Sequence, residues 1–168
     1  MSPCVGCLAL RVPLAQPNDE AFFKLGFGQP GLDLNDTVAT LRLRASVLDD
    51  TGQLFLQSFA TDADFTFGRA TFASISTSTF SDTETFIDVP IDVGAISSSG
   101  FDAGHVLEIG VQILAGALFV GPVTAELLLD SITYTGSSGL PDLTFSADAQ
   151  GFSVNPDVGL QTAEVIHH

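Results

Sequence analysis

A chain of 168 residues with 45% hydrophobic side chains is long enough to bury roughly 70% of its unfolded surface, and too apolar to be a disordered acidic segment. Its formal charge of −15, from 20 acidic and only five basic residues, repels phosphate backbones and anionic lipid and so argues against nucleic acid and membrane surfaces as partners. No apolar run reaches the ~20 residues of a bilayer-spanning helix, since the longest candidate, 111–123, is broken by Gly116, Gly121 and Pro122.

Residues 1–10 lack the basic start and the length of a secretory leader, and Arg11 ends their apolar stretch. The chain therefore reads as mature, excised or cytosolic, while scarce Lys with abundant Ser, Thr, Gly and Asp favours an extracellular address. Cys4 and Cys7 have the spacing of a redox or zinc half-site. On a strand, however, residues three apart point to opposite faces, so two unpaired thiols in a turn are expected, with a disulfide or a zinc site as alternatives if the backbone turns there.

Period-two alternation begins at Leu8, Leu10, Val12 and Leu14, resumes at Phe23, Leu25 and Phe27, and continues at Leu41, Leu43, Ala45 and Val47, with Arg42, Arg44 and Ser46 facing away. Further strands are expected over 54–59, 65–67, 86–91, 107–113 and 125–134. Residues 71–85, rich in Ser and Thr, predict an edge strand and a solvated loop, and 93–105 either one helical turn or an irregular crossing loop. Turn signals separate these runs at 16–19, 29–31, 49–52, 97–100 and 137–139. With no helical period between strands, the pattern predicts an all-β fold: about eight to ten antiparallel strands in a two-sheet β-sandwich, one domain over 1–168.

The tail is the odd feature. Residues 141–168 read like the opening of a β-domain, and 2–14 like its continuation. This predicts that the C-terminal segment, with a ribbon over 143–154 zipped beside Asp130, supplies the first strand of a permuted domain or of one period of a tandem array.

Between Thr37 and Thr135 the order of features resembles a carbohydrate-binding-module-type jelly roll of the galactose-binding-domain-like kind. The stretches that carry it are Leu41-Arg-Leu-Arg-Ala-Ser-Val47, Gln53-Leu-Phe-Leu-Gln-Ser-Phe59 leading to Asp64-Phe-Thr-Phe67, Phe86-Ile-Asp-Val-Pro-Ile-Asp92, Val106-Leu-Glu-Ile-Gly-Val-Gln-Ile113 and Glu126-Leu-Leu-Leu-Asp-Ser-Ile-Thr-Tyr134. The resemblance implies a structural Ca²⁺ near the first and last strands, held by Asp130 with Thr144, Ser146 and Asp148 opposite. The bland alternative is a partly solvated Asp130 capping a strand end. It also implies a sugar site with Phe65 and Phe67 as platform aromatics and Gln57, Asp62, Asp64 and Arg69 hydrogen-bonding hydroxyls. The chain has no Trp and one Tyr, Tyr134, where such sites usually stack Trp or Tyr on pyranose rings, and Phe at alternate strand positions also suits a core.

Catalytic chemistry is not marked. Histidine occurs only at His105, His167 and His168, no Ser sits in a nucleophile elbow, and no carboxylate pair stands out. Two functions of different kind remain: a non-catalytic module binding a polysaccharide or other glycan on a sheet face, or an assembly repeat that self-associates by exchanging its C-terminal strand.

Overall fold

The structure, a computed structural model, describes residues 4–160 and 162–168. The strand character expected of Ser2 and Pro3 lies outside the described residues. Ten strands occur in chain order: β1 (Leu8–Leu14), β2 (Glu20–Gly26), β3 (Val38–Ala45), β4 (Leu54–Asp62), β5 (Phe67–Ser74), β6 (Ile87–Asp92), β7 (Val106–Ala115), β8 (Val123–Thr135), β9 (Phe152–Gly159) and β10 (Glu164–His167). One 3-10 turn at Val93–Ala95 precedes the crossing loop to β7.

All pairings are antiparallel. Sheet I has the order β10-β1-β8-β3-β6 and sheet II the order β5-β4-β7-β2-β9. Within these, β1-β8-β3-β6 faces β5-β4-β7-β2, the nested pairing of a jelly-roll β-sandwich. The alternation seen in sequence sets which side chains lie between the sheets. Leu8, Leu10, Val12 and Leu14 of β1, Leu41 and Leu43 of β3, and Leu127 and Leu129 of β8 meet Phe23 of β2, Leu56 of β4, and Ile109, Val111 and Ile113 of β7 in one buried cluster. Each fully buried Leu, Ile or Phe contributes about 1.5–3 kcal/mol relative to exposure.

The tail departs from the expected ribbon beside Asp130. Of residues 143–154, only Leu143 bridges β8, at Ile132; the strand begins at Phe152 and pairs with β2 in the opposite sheet. β10 then pairs with β1. The reason lies in β1, which already occupies the position beside β8 over Leu8–Leu14. The C-terminal segment therefore does not zip beside Asp130 and adds one edge strand to each sheet instead. What reads as strand alternation in the tail is partly loop anchoring, because Phe145 and Phe152 plug into the core with ring centroids 6.2 Å apart.

Cys4 and Cys7 form a disulfide rather than the expected pair of free thiols. Gly6, at φ +79°, turns the backbone in the left-handed region open to glycine, which lets residues three apart converge. The turn is fastened to the chain end, Gly6 N–H donating to His168 O (2.8 Å) and His168 N–H to Cys7 O (3.0 Å).

Two bulges set which side chains reach the outer faces. One extra residue in β8 falls at Asp130, opposite the Arg42–Leu43 step of β3. Another falls in β5, where Arg69 pairs with Phe59 and Phe72 with Gln57. Residues three apart on a regular strand face opposite ways; the bulge turns Arg69 and Phe72 to the same side. Ser58, buried opposite it, closes the gap by accepting from Thr71 N–H at 2.9 Å.

Candidate functional site

The outer face of sheet II is paved with phenylalanine. Phe22 and Phe23 are adjacent on β2, so a strand that buries Phe23 must turn Phe22 outward. On β4, Leu54 and Leu56 point into the core, which leaves Phe55, Gln57, Phe59 and Thr61 outside; on β5 the bulge adds Phe67, Arg69 and Phe72. Phe59 is only 1% exposed although it stands outside the sandwich core, because neighbouring rings cover it. Its ring stacks on Phe67 (centroids 4.8 Å, 26°), and Phe22 meets both edge-on, at 5.7 and 5.9 Å. Gly110 makes room for this: a Cβ there would lie 2.9 Å from the Phe59 ring and 2.0 Å from Phe23 O.

Two clefts share the saddle formed by Phe22 and Phe67. The first, of 320 Å³, has Phe59, Phe22 and Phe67 as its floor, the Lys24–Glu108 ion pair and Thr61 along one side, Asn155, Asp157 and Val158 of β9 along the other, and Phe65 at its rim. The second, of 520 Å³, runs between Gln57, Arg69 and Phe72 on one flank and Glu20, Gln112 and Leu114 on the other. Gln112 Nε2 donates to Glu20. Together they form one groove across the strands, apolar below and polar along the sides. Such a surface suits a ligand with flat apolar faces and hydroxyl edges. A further opening of 550 Å³, between β9 and β10, is the unsealed edge of the sandwich.

Phe65 is unusual in two respects. It is 74% exposed, and it sits at φ +61° in the turn between β4 and β5. Left-handed backbone costs a residue with a side chain roughly 1–2 kcal/mol. The turn is enforced by Asp62, which is 1% exposed and whose Oδ1 accepts from Asp64 N–H (3.0 Å) and Thr66 N–H (2.8 Å), while Oδ2 accepts from Asp102 N–H (2.9 Å).

Of the sugar-site residues read from the sequence, Phe65, Phe67, Gln57 and Arg69 come together in this groove. Asp62 is used up as the turn's acceptor. Asp64 is exposed in the same turn, and its charge acts on His105 at the end of the sandwich. Tyr134 stands on β8 in sheet I, paired with Ala39, where burial and then the Asp142 charge push its hydroxyl up to about 12. Phe22, Phe59, Lys24, Glu108, Asn155 and Asp157 were not marked by sequence reasoning. The adjacent Phe22-Phe23 pair was the signal available; the β9 wall was not legible, because the tail was expected in the other sheet.

Asp130, the residue implied as a calcium ligand, already has protein partners. Asp130 Oδ2 accepts from Ser131 Oγ (3.2 Å) and lies 3.5 Å from Arg42 Nε, and Oδ1 is 3.8 Å from Cys7 Sγ. Thr144, Ser146 and Asp148 are exposed beyond the lone Leu143 bridge, and Asp148 accepts from Gln150 N–H. Among the described residues, the metal-ligating side chains gathered within 4.8 Å are Cys4, Cys7 and Asp130, but sulfurs joined in a disulfide offer a metal no thiolate.

No protein-family model and no curated protein matches the chain. Among solved structures it is similar to a xylan-binding module CBM15, at 13% identity over 77% of this chain and 98% of that one, with a TM-score of 0.48. It is also similar to a mutant Xylanase10C from Cellvibrio japonicus in complex with xylopentaose, at 14% identity over 81% of this chain and 28% of that one, with a TM-score of 0.41.

Proposed function

We propose that the protein is a non-catalytic, extracellular glycan-binding module that takes a polysaccharide strand along the outer groove of sheet II. The observation that carries this is Phe65, held open to solvent in a costly backbone conformation at the rim of a floor made by Phe22, Phe59 and Phe67. Aromatic faces bind the C–H faces of pyranose rings, while Gln57, Asn155, Thr61 and the Lys24–Glu108 pair supply donors and acceptors for hydroxyls. Glu108 and Glu20 are each tied to a neighbour, which suits binding better than acid–base work. The Cys4–Cys7 disulfide accords with an oxidising compartment. Affinity electrophoresis through gels containing β-glucan, galactomannan, arabinoxylan or glucuronoxylan tests the proposal: retardation by at least one polymer, abolished in Phe67→Ala, is expected. A folded protein that none of them retards overturns it.

A second reading, self-association through the C-terminal strands, is favoured by one feature. β9 and β10 are the edge strands added outside an eight-strand jelly roll, β9 pairing with β2 and β10 with β1. A copy of β10 from another chain would make the same bonds to β1. Light scattering on a size-exclusion column decides: oligomers that grow with concentration support exchange, and a concentration-independent monomer rules it out.

A further inference from the structure

We propose that Arg69 makes the groove selective for polysaccharides carrying isolated carboxylate groups, such as uronic acid branches on a neutral backbone. This rests on the glycan-binding reading and adds the ligand's chemical class.

The chain has five basic side chains against 20 acidic ones, so nearby acids are plentiful. Arg11 pairs with Glu126, Lys24 with Glu108, Arg42 with Asp88 and Asp130, and Arg44 with Glu84. Among the described residues, Arg69 is the one basic side chain with no ion pair. Its backbone is nevertheless fixed, its N–H donating to Ser98 Oγ at 3.1 Å, with the Ser58-sealed bulge just beyond it. The bulge sets Arg69 on the same face as Phe72 and Phe67, and it lines the groove together with Gln57.

Among the described residues, no carboxylate comes within ion-pair distance of the Arg69 guanidinium. Asp92, across the adjacent notch, accepts from Ala95 N–H. Glu20, in the same groove, belongs to β2, three strand spacings from β5, which is roughly 14 Å. That exceeds the ~8 Å Debye length at physiological ionic strength. A guanidinium presents a planar fork of donors that fits a carboxylate with two parallel bonds, while a flanking amide takes hydroxyls. The net charge of −15 sets the other limit. It opposes a polymer charged at every residue, whereas a single carboxylate delivered to Arg69 feels mainly the local cation. The favoured ligand is therefore sparsely acidic rather than a polyuronate.

Affinity electrophoresis at about 0.02 M and about 0.5 M salt tests this with glucuronoxylan against its carboxyl-reduced form, β-glucan against a lightly C6-oxidised form, and polygalacturonate. At low salt at least one carboxylated form should bind about tenfold more tightly than its neutral counterpart. The ratio should fall to about one in Arg69→Gln and at high salt, and polygalacturonate should bind least. Thermal melts confirm that the variant is folded. If neutral polymers bind and neither carboxylated form gains, or if Arg69→Gln keeps the preference, the role of Arg69 is overturned and glycan binding stands. If no polymer binds, the binding reading itself fails, and this inference with it.

Discussion

The two sheets cover the same core but finish their outer faces in opposite ways. On sheet I the cations are matched to acids: Arg11 with Glu126, Arg42 with Asp88 and Asp130, Arg44 with Glu84. Its outer aromatic, Phe86, is capped by Arg42 and Arg44 at 5.6 and 5.1 Å. On sheet II the rings pack on one another, Phe65 and Phe72 remain open, and Arg69 is left without an acid. An outer face whose polar and aromatic groups satisfy each other has little left for a ligand. Sheet II also pairs Lys24 with Glu108 and Gln112 with Glu20, but it keeps Phe65, Phe72 and Arg69 available, and that difference, more than the fold, marks the candidate site.

The largest effect is expected where the open face has a buried heart. Phe59→Ala removes the ring on which Phe67 and Phe22 rest, and truncating a fully buried Phe costs about 3–5 kcal/mol. Phe86→Ala on the paired face loses partly exposed cation–π contacts worth about 0.5–1 kcal/mol each. Urea melts of the two variants check the contrast; equal losses would mean that the phenylalanines of sheet II are no more integrated than that of sheet I.

Phe65→Gly separates binding from folding. Glycine adopts φ +61° freely, and the exposed ring leaves few contacts to lose, but glycine also gains entropy in the unfolded chain, so stability should change by less than about 1 kcal/mol. Retardation by the best-binding polysaccharide should meanwhile drop at least about tenfold. A variant that melts several kcal/mol lower and binds normally would make Phe65 a structural residue.

Much of this was legible in the chain. Alternation at Leu8–Leu14 and at Leu41 and Leu43 placed strands and core, because a period of two fixes facing wherever one side is buried. Gln57, Phe67 and Arg69 came instead from the family resemblance, and the structure brings them to one groove. Two things defeated the pattern. A bulge adds one residue and reverses parity, so Phe72 looked like part of a solvated Ser/Thr stretch. The tail's Leu143, Phe145 and Phe152 read as a strand beside Asp130, although pairing there depends on whether β1 has taken the position, a global fact that no local window contains.

Sheet I gives the matching control. Arg42→Gln breaks two exposed ion pairs, at 3.4 and 3.5 Å, each worth at most about 1 kcal/mol, and should leave glycan retardation unchanged. With Asp130 already engaged by Arg42 and Ser131, EDTA should leave the melting temperature where it was. A clear rise on adding Ca²⁺ would show that the folded state binds the ion, since a ligand bound only by the folded state must stabilise it.

The smallest effect lies in the loop that leads into β7. His105 Nδ1 lies 2.8 Å from Asp102 Oδ2, and both side chains are exposed. The hydrogen bond to Asp102 raises the imidazole above its ordinary 6.5 and the Asp102 charge adds to it; desolvation opposes them, and Asp33 and Asp64 add smaller upward effects. Asp102 is correspondingly lowered, by the His105 hydrogen bond first and by Gly104 N–H next. A histidine raised on folding contributes stability that is fully present below its unfolded value and is lost as pH rises through the folded one. The aspartate's share is present above its own unfolded value and is lost as pH falls through its depressed one. The pair therefore works in the acidic range between the two, and its contribution fades on going to neutral and alkaline pH. An NMR titration of the His105 ring should show a midpoint above 6.5 that falls in Asp102→Asn. Because Phe65 shares its turn with Asp62, whose Oδ2 takes the Asp102 N–H, the same titration watched at Phe65 tests whether this loop steadies the rim of the groove. A Phe65 signal that does not move with His105 would leave the rim to Asp62 alone.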